Sequence, residues 1–464
     1  MVNNDRENLK KFWSRYSGQA DINAMMLNQN AGDIEEADRH DIMSSLPSVD
    51  GKDVVDIGAG IGRFTTAFAK SANLVISTDF IDEFIRVNRE ANGHLANVEF
   101  QVNDAAHLEL QKNGFDLVFT NWLMMYLDEG EVVDFLLKAI EWIRPDGHLK
   151  LRESCSEPST ARTAANTMHD TTEANPTYYR YSSLYINLLN AIRYKDAEGK
   201  VWKYQIEWGC SVPTYITRQF NWRQVHWLAT KVEADQNDVV LDATQLLHLF
   251  ADVWVEEQRA TDKINDNVDA LWSDKIIVDA LRDGGIQPLD KVFSFNGPAS
   301  EYGVTVNSHA MVYELKAKMW SNECNPYYFR SSLTKANVVR DPNAYFSWTA
   351  DFGKTAKVLV DRHQSFKYFV GINVLSQVTV EELNNIKGIF GPDSHFYFLE
   401  GHDASEEKKF AATVEELKQK LGQDIAVSDH TETAHHEVKS LDSNADFVDQ
   451  VITKKWSLVS GKFH

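Results

Sequence analysis

The sequence predicts an α/β protein: a doubly wound, Rossmann-like domain first, then a second α/β domain. Three observations carry this. From Val54 to Ala229, short apolar runs alternate with stretches of helical periodicity, the pattern of a mostly parallel sheet covered on both faces. Gly58, Gly60 and Gly62 sit directly after one buried run and before a helix. Asp79 and Asp104 stand at the ends of the next two runs, the edge at which an open parallel sheet gathers its ligands.

Taken in order, Val54–Ile57 is the first strand, Leu74–Phe80 the second and Val98–Val102 the third. Phe115–Thr120 is the fourth, and Leu149–Leu151 follows the turn Arg144-Pro-Asp-Gly147 as the fifth. Helical stretches fall at Arg63–Lys70, Asp82–Ala91 and Glu131–Ile143. In the last, Val132, Phe135, Leu136, Ala139 and Ile143 share one face. Val201–Trp208 and Gln224–Ala229 read as an antiparallel pair closing one edge. The acidic stretch Glu233–Asp238 is the expected boundary between a domain over 1–232 and another over 239–464. In the second, Lys357–Val360, Tyr368–Val374 and Phe396–Leu399 read as strands, and Val378–Ile386 and Glu406–Leu421 as helices. No glycine-rich turn stands near its start. Asn175-Pro-Thr-Tyr-Tyr-Arg-Tyr-Ser-Ser-Leu184 is echoed by Asn325-Pro-Tyr-Tyr-Phe-Arg-Ser-Ser-Leu333, which is suggestive of duplication.

Composition bounds the function. The chain has 464 residues, 43% hydrophobic and 25% charged, enough to bury two or three cores. With 47 basic and 68 acidic residues the formal net charge is −21, which argues against nucleic acid or an anionic membrane as partner. A small phosphate ligand in a local basic pocket stays compatible. Cys155, Cys210 and Cys324 are too few and too scattered for a disulfide framework or a zinc set, so a reducing, cytoplasmic setting is expected. No apolar run approaches the ~18 residues of a membrane span, and the polar start MVNNDRENLKKFW is no secretory signal. No metal is expected: His430, His435 and His436 lack the spacing and acid of a zinc helix. His40, His94, His107, His148, His169 and His226 occur singly and read as structural or exposed.

The loop Val54-Val-Asp-Ile-Gly-Ala-Gly-Ile-Gly62 is GxGxG. Arg63 occupies the place of the third glycine of the dinucleotide pattern, so a pyrophosphate is disfavoured on this helix. Asp79, followed by Phe80, can accept both hydroxyls of a ribose. Asp104 can accept from an adenine amino group, with the backbone N–H of Ala105 as donor. Asp56 can orient the loop and meet an ammonium. Three acids around a nucleoside suit a cationic cofactor without phosphates, and S-adenosylmethionine is that molecule. A nicotinamide-binding fold with an unusual loop, or a retired nucleotide fold, is the competing reading.

Beyond these residues, the chain resembles the class I S-adenosylmethionine-dependent methyltransferases, and among them the phosphoethanolamine N-methyltransferases of plants and nematodes. The resemblance rests on DINAMML (Asp21–Leu27), VDIGAGIGRFT (Val55–Thr65), NWLMMYL (Asn121–Leu127), LRESC (Leu151–Cys155) and NPTYYR (Asn175–Arg180). It spans about residues 10–230 and fits the nematode type-1 form, in which a working domain precedes a degenerate one. It implies methyl transfer from a sulfonium to the nitrogen of phosphoethanolamine, giving phosphomonomethylethanolamine, with no obligate protein partner.

Such a reaction needs partners for a phosphate and a route for a proton, since an amine near pKa ~10.4 cannot attack while protonated. For the phosphate, the resemblance points to Arg180 among Tyr178, Tyr179 and Tyr181, a bidentate charge beside neutral donors. Tyr185 lies one helical turn further, and Arg152 at the fifth strand end points toward the same crevice. For the proton, the His of related single-domain enzymes is matched here by Tyr126, and their N-terminal Tyr by Tyr16. A tyrosine of pKa ~10 is a poor base at neutral pH. Tyr16 and Tyr126 are therefore expected to align the amine and pass its proton to water, with Ser17 and Gln19 completing the hydrogen bonding. Asn121 is expected to shape the cofactor pocket. The alternatives are a methyltransferase for another small nucleophile and a non-catalytic S-adenosylmethionine-binding regulator.

Overall fold

The computed structural model describes residues 2–18, 20–155, 177–266, 269–297, 308–402, 405–422, 424–430, 436–437, 449–450 and 455–463. Its contacts divide into two compact units: Met1–Glu257 with Arg330–Arg340, and Gln258–Phe329 with Asp341–His464.

The first unit is built on β1 Asp53–Ile57, β2 Leu74–Asp79, β3 Val98–Val102, β4 Phe115–Thr120, β5 Ile143–Ser154, β6 Arg193–Lys195, β7 Val201–Ser211 and β8 Gln224–Glu233. Their order is β3-β2-β1-β4-β5-β8-β7, with β6 on the far side of β7. Strands β3 to β5 run parallel, and β8 is antiparallel to both β5 and β7. Val54, Val55, Val75, Val118 and Phe119 are fully buried because helices cover both faces. The helix Glu129–Trp142 starts at a capping box, Asp128 accepting from the N–H of Glu131 while Glu131 accepts from that of Asp128. Such a cap contributes about 1 kcal/mol.

Several elements differ in length from expectation; β7 and β8 run on to Ser211 and Glu233. The helix expected over Arg63–Lys70 is only Thr65–Phe68, because Gly60 and Gly62 have φ of 57° and 89° and the chain is still turning there. The fifth strand extends to Ile143–Ser154, since it is paired on both sides and runs through the Pro145–Gly147 turn by shifting register.

The boundary also falls elsewhere than 232/239. The helix Ala243–Asp266 belongs to the first unit as far as Glu257, whose buried carboxylate accepts from Ser183 Oγ and, at 2.7 Å, from Arg330 Nε. A buried carboxylate holds its counter-charge tightly, and this pair keeps Arg330–Arg340 within the first unit.

The second unit has β9 Lys291–Asn296, β10 Lys318–Glu323, β11 Ala344–Trp348, β12 Phe366–Ile372, β13 Phe390–His402, β14 Ala426–His430 and β17 Lys455–Lys462. β15 His436–Glu437 and β16 Asp449–Gln450 form a separate pair. The order β11-β10-β9-β12-β13-β17-β14 repeats that of the first unit, including the antiparallel β17. Lys357–Val360, expected as a strand, lies inside the helix Phe352–Asp361. Asp351 caps that helix and Phe352, Thr355 and Leu359 are buried along it. A four-residue apolar run does not distinguish the two states. The echoed segments occupy unequal places, Thr177–Leu184 after β5 and Asn325–Leu333 after β10. The echo is therefore not the trace of the duplication, although the strand order repeats.

Candidate active site

At the end of β1 the chain enters the glycine loop. Gly58, Gly60 and Gly62 all lie at positive φ. A Cβ at Gly60 would stand 2.8 Å from Met25 Sδ, and one at Gly62 2.2 Å from Asn88 Oδ1. Beneath the loop runs a buried polar chain. Asp56 Oδ2 accepts from Thr65 Oγ1 at 2.8 Å, Thr65 meets Ser77 Oγ at 3.0 Å, and Asn88 Nδ2 donates to Ser77 at 2.8 Å. Burial, reinforced by the neighbouring Asp79, pushes the Asp56 carboxyl up to about 7.

Asp79 binds the loop to the next strand end: Oδ2 accepts from Gly60 N and Oδ1 from Ile81 N, each at 2.9 Å. Burial raises its pKa and these N–H groups oppose the rise. Asp104 accepts from Ala106 N at 3.1 Å and lies 3.5 Å from Arg6 Nε. All three acids, with Gly58, Gly60, Phe80, Ala105 and Asn121, line one cleft of about 1650 Å³. Gly62 lies behind the loop. The set fits S-adenosylmethionine: carboxylates for ribose, adenine and ammonium, and no uncommitted cation at the loop. Arg63 is spent on Asp38 at 2.9 Å and Glu35 at 3.4 Å, which leaves a pyrophosphate without its counter-charge.

Tyr16 and Tyr126 line the same cleft. Both pack on Trp13, with ring centroids 5.8 and 5.5 Å away. Trp13 thus brings together two residues that are far apart in sequence. Tyr126 belongs to the turn Met124–Tyr126, which follows Trp122 at φ 59°. Glu153, fully buried on β5, holds that turn: Oε1 accepts from Leu123 N (3.0 Å) and Met124 N (2.9 Å), Oε2 from Met125 N (3.2 Å). Burial pushes Glu153 up to about 7 although three N–H groups favour its charge.

Of the expected phosphate residues, Tyr179 lines the cleft; the others lie elsewhere. Arg152 is fully buried, its guanidinium 3.5 Å from the Trp122 ring centroid and 3.3 Å from Asp38 Oδ1. Its counter-charge is Asp38, because that aspartate has no exposure and needs a cation. Arg180 donates from Nη1 to Met124 O at 2.8 Å and from Nη2 to Leu127 O at 2.6 Å. With Tyr181 it lines a separate cavity of about 330 Å³, which Tyr179 shares with the cleft. Tyr178 is largely exposed, and Tyr185 is fully buried against Trp227. Of the expected Arg–Tyr set, Tyr179 is thus on the cleft, while Arg152 and Tyr185 are buried and Arg180 is held by backbone carbonyls. Gln19 and His169 lie outside the described residues, as does the side chain of Ser17.

Sequence reasoning missed Trp13, Asp38, Glu153 and the cleft-lining cations Arg218, Arg223 and Arg340. Only Glu153 had a signal, as the acid of the RESC motif. The others are brought in by packing, Arg340 from the returning segment of the first unit.

Comparison with known proteins agrees with this geometry. A family described as "Methyltransferase domain" matches residues 54–147. Phosphoethanolamine N-methyltransferase 3 of Arabidopsis thaliana is 34% identical over 235 residues, 50% of this chain and 46% of that protein. The solved structure of Haemonchus contortus phosphoethanolamine N-methyltransferase 1, in complex with phosphoethanolamine and S-adenosylhomocysteine, matches with a TM-score of 0.89 at 40% identity, covering 100% of this chain and 98% of that one. Phosphoethanolamine N-methyltransferase 1 of Caenorhabditis elegans is 43% identical over 462 residues, 99% of this chain and 96% of the relative. Similarity of that degree along nearly the whole of both chains shows that this chain belongs to the phosphoethanolamine N-methyltransferase family.

Proposed function

We infer that the first unit transfers a methyl group from S-adenosylmethionine to the nitrogen of phosphoethanolamine, giving phosphomonomethylethanolamine. One observation carries this reading: Gly58, Gly60, the three acids and the Tyr16–Tyr126 pair line a single cleft. S-adenosylmethionine supplies an electrophilic methyl on a sulfonium. The chain's own work is positioning and exclusion of water, because an in-line displacement needs little else. Asp79 and Asp104 hold the nucleoside, and Asp56 offers negative charge near the glycine turn. Tyr16 and Tyr126 accept hydrogen bonds from the N–H groups of the amine and so orient its lone pair, while the ammonium proton leaves to water. The phosphate finds cations and hydroxyls among the residues lining the cleft, with Tyr179 among them.

The reading of the second unit is a degenerate copy whose role is stabilising or regulatory. A cytoplasmic setting is supported by three buried, free cysteines. Among the described residues no helix is long and apolar enough to cross a membrane. The test is mass-resolved product analysis of the purified full chain given phosphoethanolamine and its mono- and dimethyl forms. Conversion of phosphoethanolamine to the monomethyl product is expected. No product from any of the three would leave the regulator reading.

A further inference from the structure

We propose that Arg180 is a positioning residue for Tyr126, the basic half of a two-sided clamp whose acidic half is Glu153. The inference rests on the reading that Tyr126 faces the reacting amine.

The turn after β4 has an awkward backbone. It begins with Trp122 at positive φ, a conformation unfavourable for a bulky L-residue. Its next three N–H groups, from Leu123 to Met125, point toward the sheet and are gathered by one carboxylate, Glu153. Among the turn's acceptors are the carbonyl of Met124, which takes Leu127 N at 3.2 Å within the turn, and that of Leu127. The planar guanidinium of Arg180 takes both, one from each terminal nitrogen, while the backbone N–H of Tyr178 donates to Met125 O at 2.7 Å. A turn of a few residues is thus fixed through its donors and its acceptors, and Tyr126 lines the cleft from it together with Leu123, Met125 and Leu127. Two fixed acceptors match the fork of a guanidinium and cannot both be met in the same way by the point charge of an ammonium.

The second unit gives an independent comparison. Trp122 N donates to Arg152 O, and Asn373 N to Leu399 O, so Glu153 and Glu400 occupy the same place in the two sheets. Glu400 Oε1 accepts from Leu375 N at 3.0 Å, as Glu153 accepts from Met124 N. The acidic half of the clamp therefore belongs to the fold. In the first unit, which holds the cleft, a buried arginine completes it.

The test is a double-mutant cycle in the full chain on phosphoethanolamine methylation, with Arg180→Lys, Arg180→Met, Tyr126→Phe and the double variants. Binding of S-adenosylhomocysteine by calorimetry, kept within about threefold, certifies each variant as folded. Arg180→Met is expected to lower kcat about tenfold or more with KM for phosphoethanolamine changed less than about threefold, and Arg180→Lys to recover little. In the Tyr126→Phe background, either Arg180 substitution should change kcat less than about threefold, because its effect passes through Tyr126. A tenfold rise in KM at retained kcat would make Arg180 a phosphate ligand and overturn the proposal, as would additive losses or a fully active Tyr126→Phe. Should Arg180→Met not fold, the Lys arm of the cycle decides alone. Absence of methylation by the unmodified chain would instead overturn the functional reading.

Discussion

The two units share a strand order and differ at the strand ends. Pairing of β9 with β12 and of β1 with β4 puts Ser294 at the place of Asp56 and Asn296 at that of Gly58. Pairing with β10 and β11 puts Glu323 at the place of Asp79, and continues to Ala350 at that of Asp104. In the first unit Asp79 reaches out to the glycine loop through Gly60 N. In the second, Glu323 turns inward and accepts from Asn296 Nδ2 at 2.9 Å and Ser321 Oγ at 3.2 Å. What both retain is interior: apolar strands and the buried Glu153 or Glu400. The comparison teaches that what the two units share is the core and one buried carboxylate, whereas Asp56, Asp79, Asp104 and the glycines at positive φ belong to the first unit's cleft.

The comparison can be broken or sharpened at four points. The largest expected effect concerns the segment that the first unit takes back. Arg330→Met would leave Glu257, 1% exposed, without its cation, and removal of one partner of a buried pair costs about 3 kcal/mol or more. Chemical denaturation would show it, and a loss below about 1 kcal/mol would mean that Arg330–Arg340 is not bound into the first unit by this pair. A fragment ending near residue 235 lacks both partners, and is expected to be unstable because it also loses the rest of the first unit, up to Glu257 and Arg330–Arg340. Next, Asp79→Asn should weaken S-adenosylmethionine binding about a hundredfold, by loss of one charge-assisted acceptor and of its hold on the loop. Glu323→Gln should leave that affinity unchanged. Calorimetry on both variants decides, and equal effects would assign a nucleoside role to the second unit as well.

Third, Glu153→Gln and Glu400→Gln should each cost about 2 kcal/mol of stability, since a carboxamide cannot accept where it presents its NH₂. Only Glu153→Gln should also lower kcat. Matching losses of kcat would dissolve the distinction between the units. The smallest effect is one of pH. Asp56 holds its proton up to about 7 instead of the ordinary 3.8. Its contribution to stability is thus full below 3.8 and is lost as pH rises through about 7. Ionisation over the same window favours the cationic cofactor. Affinity for S-adenosylmethionine should rise up to about tenfold from pH 6 to 8, and that for S-adenosylhomocysteine, which carries the same ammonium, should rise with it. Asp56→Asn should flatten that slope. A slope unchanged in the variant would move the titrating charge elsewhere.

Local chemistry in the sequence was enough for the first sheet, the glycine loop and the acids at its strand ends, because each follows from a short pattern: buried runs, glycines where φ must be positive, acids where a strand stops. The strands β9 to β11 were not legible. Lys291–Asn296 and Lys318–Glu323 carry polar residues such as Ser294, Ser321 and Asn322 that are buried all the same, so no apolar run announces them. The aromatic lining of the cleft was legible only in part. Tyr16 and Tyr126 were readable through family motifs, but Trp13, which packs on both, was not.

Sequence alone therefore determined the kind of sheet, the GxGxG bend and the charge set that selects a cationic nucleoside, all properties of residues close together along the chain. Tertiary structure decided which cations remain available. Arg63, Arg152 and Arg180 look alike as letters, yet each is consumed by a carboxylate or by carbonyls from a distant segment. The physical reason is that a buried charge or backbone group must find its partner wherever packing brings one, and sequence proximity does not record that encounter.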